Sequence, residues 1–155
     1  MRKIFLTLFY SGLSPKAPGT AGSLVALLLG WIMLYLSSAT TLFLLTILIS
    51  IVAVKVINQY EEETQTHDNS QIVIDELAGM WLCMSIIANS EYNLFYISIL
   101  GFIYFRILDI TKPSIIGKID KHTKGGLGVM GDDIVAGFFA GILSLLTFRF
   151  LFFIL

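Results

Sequence analysis

Charge is scarce in this chain of 155 residues: only 14% are Asp, Glu, Lys or Arg, and the formal net charge is −1. A soluble domain carries about a quarter of its residues as charges. The near balance of signs excludes a nucleic-acid-binding domain built on a basic stripe, so any phosphate recognition must be local. Cysteine is reduced to Cys83, which excludes an internal disulfide. Internal repeats and low-complexity tracts are absent. The two histidines, His67 and His122, stand alone on hydrophilic segments without an HxxxH spacing, which reads as solvated side chains. Asn89 stands where a Cys-x5-Arg phosphatase loop starting at Cys83 would need arginine, and no Asp-x-Asp nucleophile motif occurs. What is abundant is apolar surface, with 56% apolar residues and a mean hydropathy of +0.84. That excess rules out disorder and a coiled coil and makes lipid the solvent of a single unit covering residues 1–155.

Five apolar runs stand out, at residues 21–36, 42–57, 77–90, 94–108 and 134–155. Backbone facing lipid must satisfy its hydrogen bonds internally, so the fold class is all-α: a polytopic membrane helical bundle of about five apolar helices. Several runs fall short of the ~20 residues that cross a ~30 Å hydrocarbon core, and the first either crosses or forms a re-entrant helix. The opening Met1-Arg2-Lys3-Ile4-Phe5-Leu6 imitates a signal peptide, but Ser14-Pro15-Lys16-Ala17-Pro18 is a poor cleavage region.

The breaks between runs are unequal. Residues 37–41 and 89–93 are short, whereas 1–20, 58–76 and 109–133 are long and ionic. If each run crosses once, the ionic breaks share one side, which gathers nine of the ten basic residues, all but Arg149. The positive-inside rule makes that side cytoplasmic. Ten of the eleven acids gather there too, all but Glu91. Acids contribute little to orientation, so their gathering calls for a site at the cytoplasmic membrane surface. Glu61-Glu62-Glu63 reads as a solvated helix end.

Four blocks carry candidate chemistry. In Ser11–Ser23, two prolines hold an extended turn and glycines allow close backbone approach. Thr20 is placed to cap the following helix, and Lys16, Thr20 and Ser23 are placed to contact a phosphate; an ordinary turn entering a helix explains the block equally well. In Ile74–Gly79, Asp75 and Glu76 stand at the threshold of an apolar helix, where an unpaired charge is costly. Gly79 lies four residues after Asp75, on the same face, and permits close helix packing. In Arg106–Pro113, Asp109 neighbours Lys112 on a last helical turn before Pro113, and Arg106 is spaced to pair with Asp109 or to bind a phosphate. In Gly125–Gly137, Asp132 and Asp133 open an apolar helix, and Asp133, Gly137 and Gly141 recur on one small-residue face.

Asp75, Glu76, Asp109, Asp132 and Asp133 thus map to one depth at one membrane face, on three helices. Oxygen-only ligands suit a hard cation such as Mg²⁺, and Arg106, Lys112 and Lys16 supply charge suited to phosphate. Metal-assisted phosphate chemistry is the reading that follows.

In order and spacing, the blocks SGLSPKAPGTAGSL at 11–24, IDELAG at 74–79, FRILDITKP at 105–113 and GGLGVMGDDIVAG at 125–137 resemble the phosphatidylglycerophosphatase A family. Gly131 departs, where a larger apolar residue is expected. The resemblance implies a bacterial inner-membrane enzyme that removes the terminal phosphate of phosphatidylglycerophosphate in a Mg²⁺-dependent reaction, with its active site facing the cytoplasm and a membrane phospholipid as its partner. It also implies soluble relatives, so the substrate is not fixed by membership. On this reading Asp75, Asp109 and Asp133 are the first choice for metal ligands. Glu76 or Asp132 is the base or a further ligand, and Lys16, Thr20, Ser23, Arg106 and Lys112 hold the phosphoryl group. Competing readings are a phosphatase of another phospholipid or of an isoprenoid phosphate, and, in a different class, an ion-coupled transporter. A transporter would place its acids near the midplane, often within internal repeats.

Overall fold

The computed structural model describes residues 2–65, 69–113, 115–123 and 125–154, so His67 and the side chains of Asp120, Lys121 and His122 lie outside the described residues. Every regular element among them is helical: α1 (Arg2–Leu6), a 3-10 turn (Ser11–Leu13), α2 (Pro18–Leu36), α3 (Ala39–Thr64), α4 (Ile74–Ile87), α5 (Leu94–Thr111), α6 (Ile115–His122) and α7 (Gly126–Ile154). Helices α2, α3, α5 and α7 are long and apolar enough to cross a membrane. Their outward faces carry exposed apolar side chains such as Leu28, Leu44, Ile51, Ile107 and Leu146, as expected of surfaces solvated by acyl chains.

Helix α4 is different. Its 14 residues reach only about 21 Å, and it is buried almost all round, from Ile74 through Met80 and Cys83 to Ile87. A helix apolar on every side belongs inside a bundle. It packs against α2, α3, α5 and most extensively α7. With the four long helices it makes the five apolar helices expected from the runs.

Small residues set the α4–α7 crossing. A Cβ on Gly137 would run into the carbonyl oxygen of Gly79, and a Cβ on Gly79 would stand 2.6 Å from the Phe105 ring. Gly141 meets Ile86 farther along, so the small face that begins at Asp133 is the one pressed on α4. Helix α2 runs antiparallel to α5 over its length: Ser23 meets Arg106 near the end of α5, and Trp31 Nε1 donates to Ser98 Oγ at 2.8 Å near its start. At 19 residues, α2 has the length and apolarity of the crossing alternative.

Three boundaries differ from the sequence expectation. Helix α2 begins at Pro18, with Ala17 as N-cap and no side-chain cap, so Thr20 lies inside the first turn and is exposed. Proline at the first position needs no N–H partner, and it starts the helix before Thr20 can cap it. Helix α7 starts at Gly126, not near 134, because Gly126 and Gly128 lie flush against the backbones of Val54 and Thr123, where a side chain would not fit. Asp132 and Asp133 are therefore two turns inside α7 and are not helix-start residues. Finally, the opening segment belongs to the packed bundle. Leu6 and Leu8 are buried, the Val73 amide donates to the Leu6 carbonyl at 2.9 Å, and the left-handed residues Leu8, Phe9 and Tyr10 reverse the chain. The acidic end of α3 is solvated as expected, with exposed Glu63 paired to Arg2.

Because the Gly79–Gly137 contact is backbone on side-chain-free backbone, Gly137→Ala should destabilise the bundle by about 1–3 kcal/mol through overpacking. Thermal unfolding of the detergent-solubilised protein measures this, and an unchanged transition would mean the crossing is looser than described.

Candidate active site

One end of the bundle collects the first turns of α2 and α4, the first two turns of α7 and the last two turns of α5. Helix α4 presents Asp75 and Glu76 in its first turn, α5 presents Arg106 and Asp109 one turn apart, and α7 presents Asp132 and Asp133. These side chains border a cavity of about 410 Å³, whose wall includes Asp75, Glu76, Asp109, Lys112, Asp132 and Asp133 together with Gly19, Gly125 and Gly128. That volume is in the range of small-ligand sites. Gly125 is left-handed (φ 71°), the conformation that lets the chain turn from α6 into α7 beside the cavity.

Glu76, Asp109 and Asp133 form the tightest group, with one carboxylate oxygen from each lying within 4.8 Å of the others. Glu76 and Asp133 are buried, and Asp133 Oδ2 has no hydrogen-bond partner. Asp75 also lines the cavity but stands beside this group, half-buried, with Oδ1 accepting the Glu76 amide at 3.0 Å. One residue along a helix is about 100° of rotation, so Asp75 and Glu76 approach the cavity from different directions. Glu76 takes the inward position that the sequence reading gave first to Asp75.

Two cations answer the acids. Arg106 Nη1 lies 2.6 Å from Glu76 Oε2 and 2.8 Å from Asp109 Oδ2, and Lys112 Nζ lies 2.7 Å from Asp132 Oδ2. The Arg106–Asp109 spacing is the i,i+3 pair the sequence suggested, whereas Lys112 reaches across to α7 instead of back to Asp109. It does so from the left-handed cap of α5, where φ is 41°. Ser23 is buried and ties α2 to the group. Its hydroxyl is 2.7 Å from Glu76 Oε2 and 2.8 Å from the Gly19 carbonyl, and it accepts from Arg106 Nη1 at 3.1 Å. Ser23 thus positions Glu76 and Arg106.

Lys16 and Thr20 are exposed and are not on the cavity wall. Ser70 and Thr123, which do line it, went unnoticed in the sequence because isolated polar residues in connecting segments carry no periodic signal.

Among the described residues, five carboxylates line the cavity against two cations beside it, so acids outnumber bases there. An anionic substrate would be repelled unless further positive charge enters. The oxygen-only donors, their convergence and the orphaned Asp133 Oδ2 all fit a hard divalent cation.

The sequence model of the phosphatidylglycerophosphatase A family matches residues 4–148. The chain belongs to the phosphatidylglycerophosphatase A family. It is 39% identical over 137 residues to phosphatidylglycerophosphatase A of Escherichia coli (strain K12), covering 87% of this chain and 77% of that one. It is 38% identical over 140 residues to a Bacteroides thetaiotaomicron protein provisionally named a phosphatidylinositol-3-phosphatase, covering 87% and 86% of the two chains. Against phosphatidylglycerophosphatase A of Haemophilus influenzae the identity is 32% over 134 residues, with 86% and 80% covered. No solved structure matches the chain. The matched residues reach into all seven helices and contain every carboxylate of the cavity wall.

Ser23→Ala would release both Glu76 and Arg106 from α2 while leaving every charge in place. Phosphate release should fall about tenfold, the kinetic equivalent of the ~1.4 kcal/mol expected for losing a hydrogen bond to charged groups. A steady-state assay on a variant of unchanged helicity checks this, and wild-type kcat/KM would reduce Ser23 to a packing residue.

Proposed function

We propose that this chain is a Mg²⁺-dependent phosphatase of the bacterial inner membrane that hydrolyses the terminal phosphomonoester of phosphatidylglycerophosphate, giving phosphatidylglycerol, at a site facing the cytoplasm. The observation that carries this reading is the convergence of Glu76, Asp109 and Asp133 beside Arg106 and Lys112 at one end of an apolar bundle. A lipid phosphate meets a membrane protein at that depth, and so many acids are tolerated there only where cations gather.

Glu76, Asp109 and Asp133 would hold the ion, which when bound supplies Lewis-acid stabilisation of the phosphoryl oxygens and acidifies a water. The chain's own groups do the rest. Asp75, outside the carboxylate group but on the same wall, has one oxygen engaged by the Glu76 amide, and its other oxygen would take the proton of the attacking water. The water oxygen bonds to phosphorus as the bond to the glycerol oxygen breaks, and that oxygen takes its proton from solvent while Asp75 passes the one it received back to bulk water. Lys112 lies on the cavity wall and offers its ammonium to the phosphoryl group, with Asp132 fixing its position. Such preorganised charge is usually the largest catalytic contribution. The phosphoinositide name of the Bacteroides relative makes phosphatidylinositol 3-phosphate the second substrate to test.

Glu76→Gln, Asp109→Asn and Asp133→Asn should each cut turnover about 10²-fold or more in folded protein, consistent with loss of a major electrostatic contribution. Phosphate release from phosphatidylglycerophosphate and from phosphatidylinositol 3-phosphate, with chelator and then with added Mg²⁺, reads both substrate and ion. Near-normal turnover in all three variants, or full activity in chelator, would remove the metal site from the mechanism.

Orientation is tested separately. In a Cys83→Ser background, cysteines at exposed Lys118 and Thr40 should label from opposite faces of oriented membranes, with Lys118 on the cytoplasmic face. Labelling of both from one face would sink the arrangement.

A further inference from the structure

Arg106 is bound in an unusual way. A guanidinium ordinarily meets carboxylates through its fork, with two nitrogens making parallel bonds. Here a single nitrogen, Nη1, lies 2.6 Å from Glu76 Oε2, 2.8 Å from Asp109 Oδ2 and 3.1 Å from Ser23 Oγ, while Nε is buried without a partner. The group therefore acts as a point charge between two carboxylates, which is how a metal ion would act. Those two carboxylates belong to the converging group of three, and the third, Asp133, keeps Oδ2 orphaned.

We propose that Arg106 is a tethered counter-ion that holds the divalent-cation position while the protein is metal-free, and that metal binding displaces its guanidinium and turns it into a ligand for the substrate phosphate. The inference rests on the divalent-cation part of the proposed function and not on the identity of the lipid. Nη1 already engages one oxygen each of Glu76 and Asp109, two of the three converging carboxylates, so a divalent ion bound there would face a fixed positive charge, and arginine cannot relieve the conflict by losing its proton. Its long aliphatic stem allows the head to move instead, and the nearest unmet demand for positive charge in a loaded site is an incoming phosphomonoester.

Two consequences follow. The site offers its guanidinium to an anion only after the cation has arrived, which protects the empty cavity from capturing phosphate unproductively. By thermodynamic reciprocity, phosphate must tighten metal binding by the same factor by which metal tightens phosphate.

Arginines at positions 2, 106 and 149 are the chain's full complement, and Arg2 and Arg149 are exposed, so they serve as internal references. In detergent-solubilised wild-type protein, a dicarbonyl reagent with peptide mapping should modify Arg106 slowly without metal. Modification should rise severalfold with Mn²⁺ and be suppressed again by inorganic phosphate, with Arg2 and Arg149 unchanged throughout. In parallel, Mn²⁺ binding followed by electron paramagnetic resonance should be about tenfold tighter in Arg106→Gln than in wild type. Arg106→Lys, which keeps a competing cation, should stay near wild type, and the phosphate-dependent tightening should be lost in Arg106→Gln. Unchanged or reduced labelling of Arg106 with Mn²⁺ bound would overturn the proposal even if Arg106→Gln failed to fold, as would a folded Arg106→Gln that binds Mn²⁺ no more tightly. Absence of Mn²⁺ binding in wild type would overturn it together with the metal reading. Metal-dependent unmasking of Arg106 in a protein inactive on phosphatidylglycerophosphate would support it and reject only the proposed substrate.

Discussion

Five carboxylates at the boundary of a hydrocarbon layer must be compensated, and the rest of the structure is arranged around that requirement. An uncompensated buried charge costs several kcal/mol, roughly the whole stability of a typical domain. Arg106 answers Glu76 and Asp109, Lys112 answers Asp132, and the Ser23 hydroxyl shares the load on Glu76. The compensation is incomplete by design of the residues present, and the remainder defines what the cavity attracts.

Packing serves the same end. Glu76 and Asp133 approach only because α4 and α7 cross backbone to backbone at Gly79 and Gly137, about one turn below the acids. The short α4 depends in turn on the four long helices, whose outer faces meet lipid while α4 does not. A helix too short to span alone can thus carry two acids at its start, because protein surrounds it instead of acyl chains.

Much of this was legible from residue order. The shared depth of the acids follows from where each apolar run begins or ends, and Gly79, Gly137 and Gly141 reveal the tight face by their spacing from Asp75 and Asp133. What could not be read was azimuth and reach. Neighbours Asp75 and Glu76 differ by a rotation that only the packed position of α4 resolves, and the partner of Lys112 depends on a left-handed cap whose direction no periodicity encodes. The start of α7 was hidden because glycines normally weaken a helix; Gly126 and Gly128 are helical here because contact with Val54 and Thr123 leaves room for nothing larger. Thr20 and Lys16 look like phosphate contacts by composition, but Pro18 starts the helix early and leaves both at the exposed surface. Ser23 reads as a phosphate contact by spacing, and its bond to Glu76 escapes that reading because it crosses 53 positions of sequence.

The pairing of Glu76 with Arg106 also bears on the order in which the charges are made. Helices α4 and α5 are joined by the short link from Ala88 to Asn93 and form an antiparallel hairpin whose two open ends carry these two residues. The acid and its base thus lie in one hairpin, 30 residues apart in the chain. Asp132 and Asp133 follow Arg106 and Lys112 in sequence, so both cations are synthesised before the acids of α7. In the order of synthesis, each of these later acids appears after a base that the folded protein sets beside the same cavity.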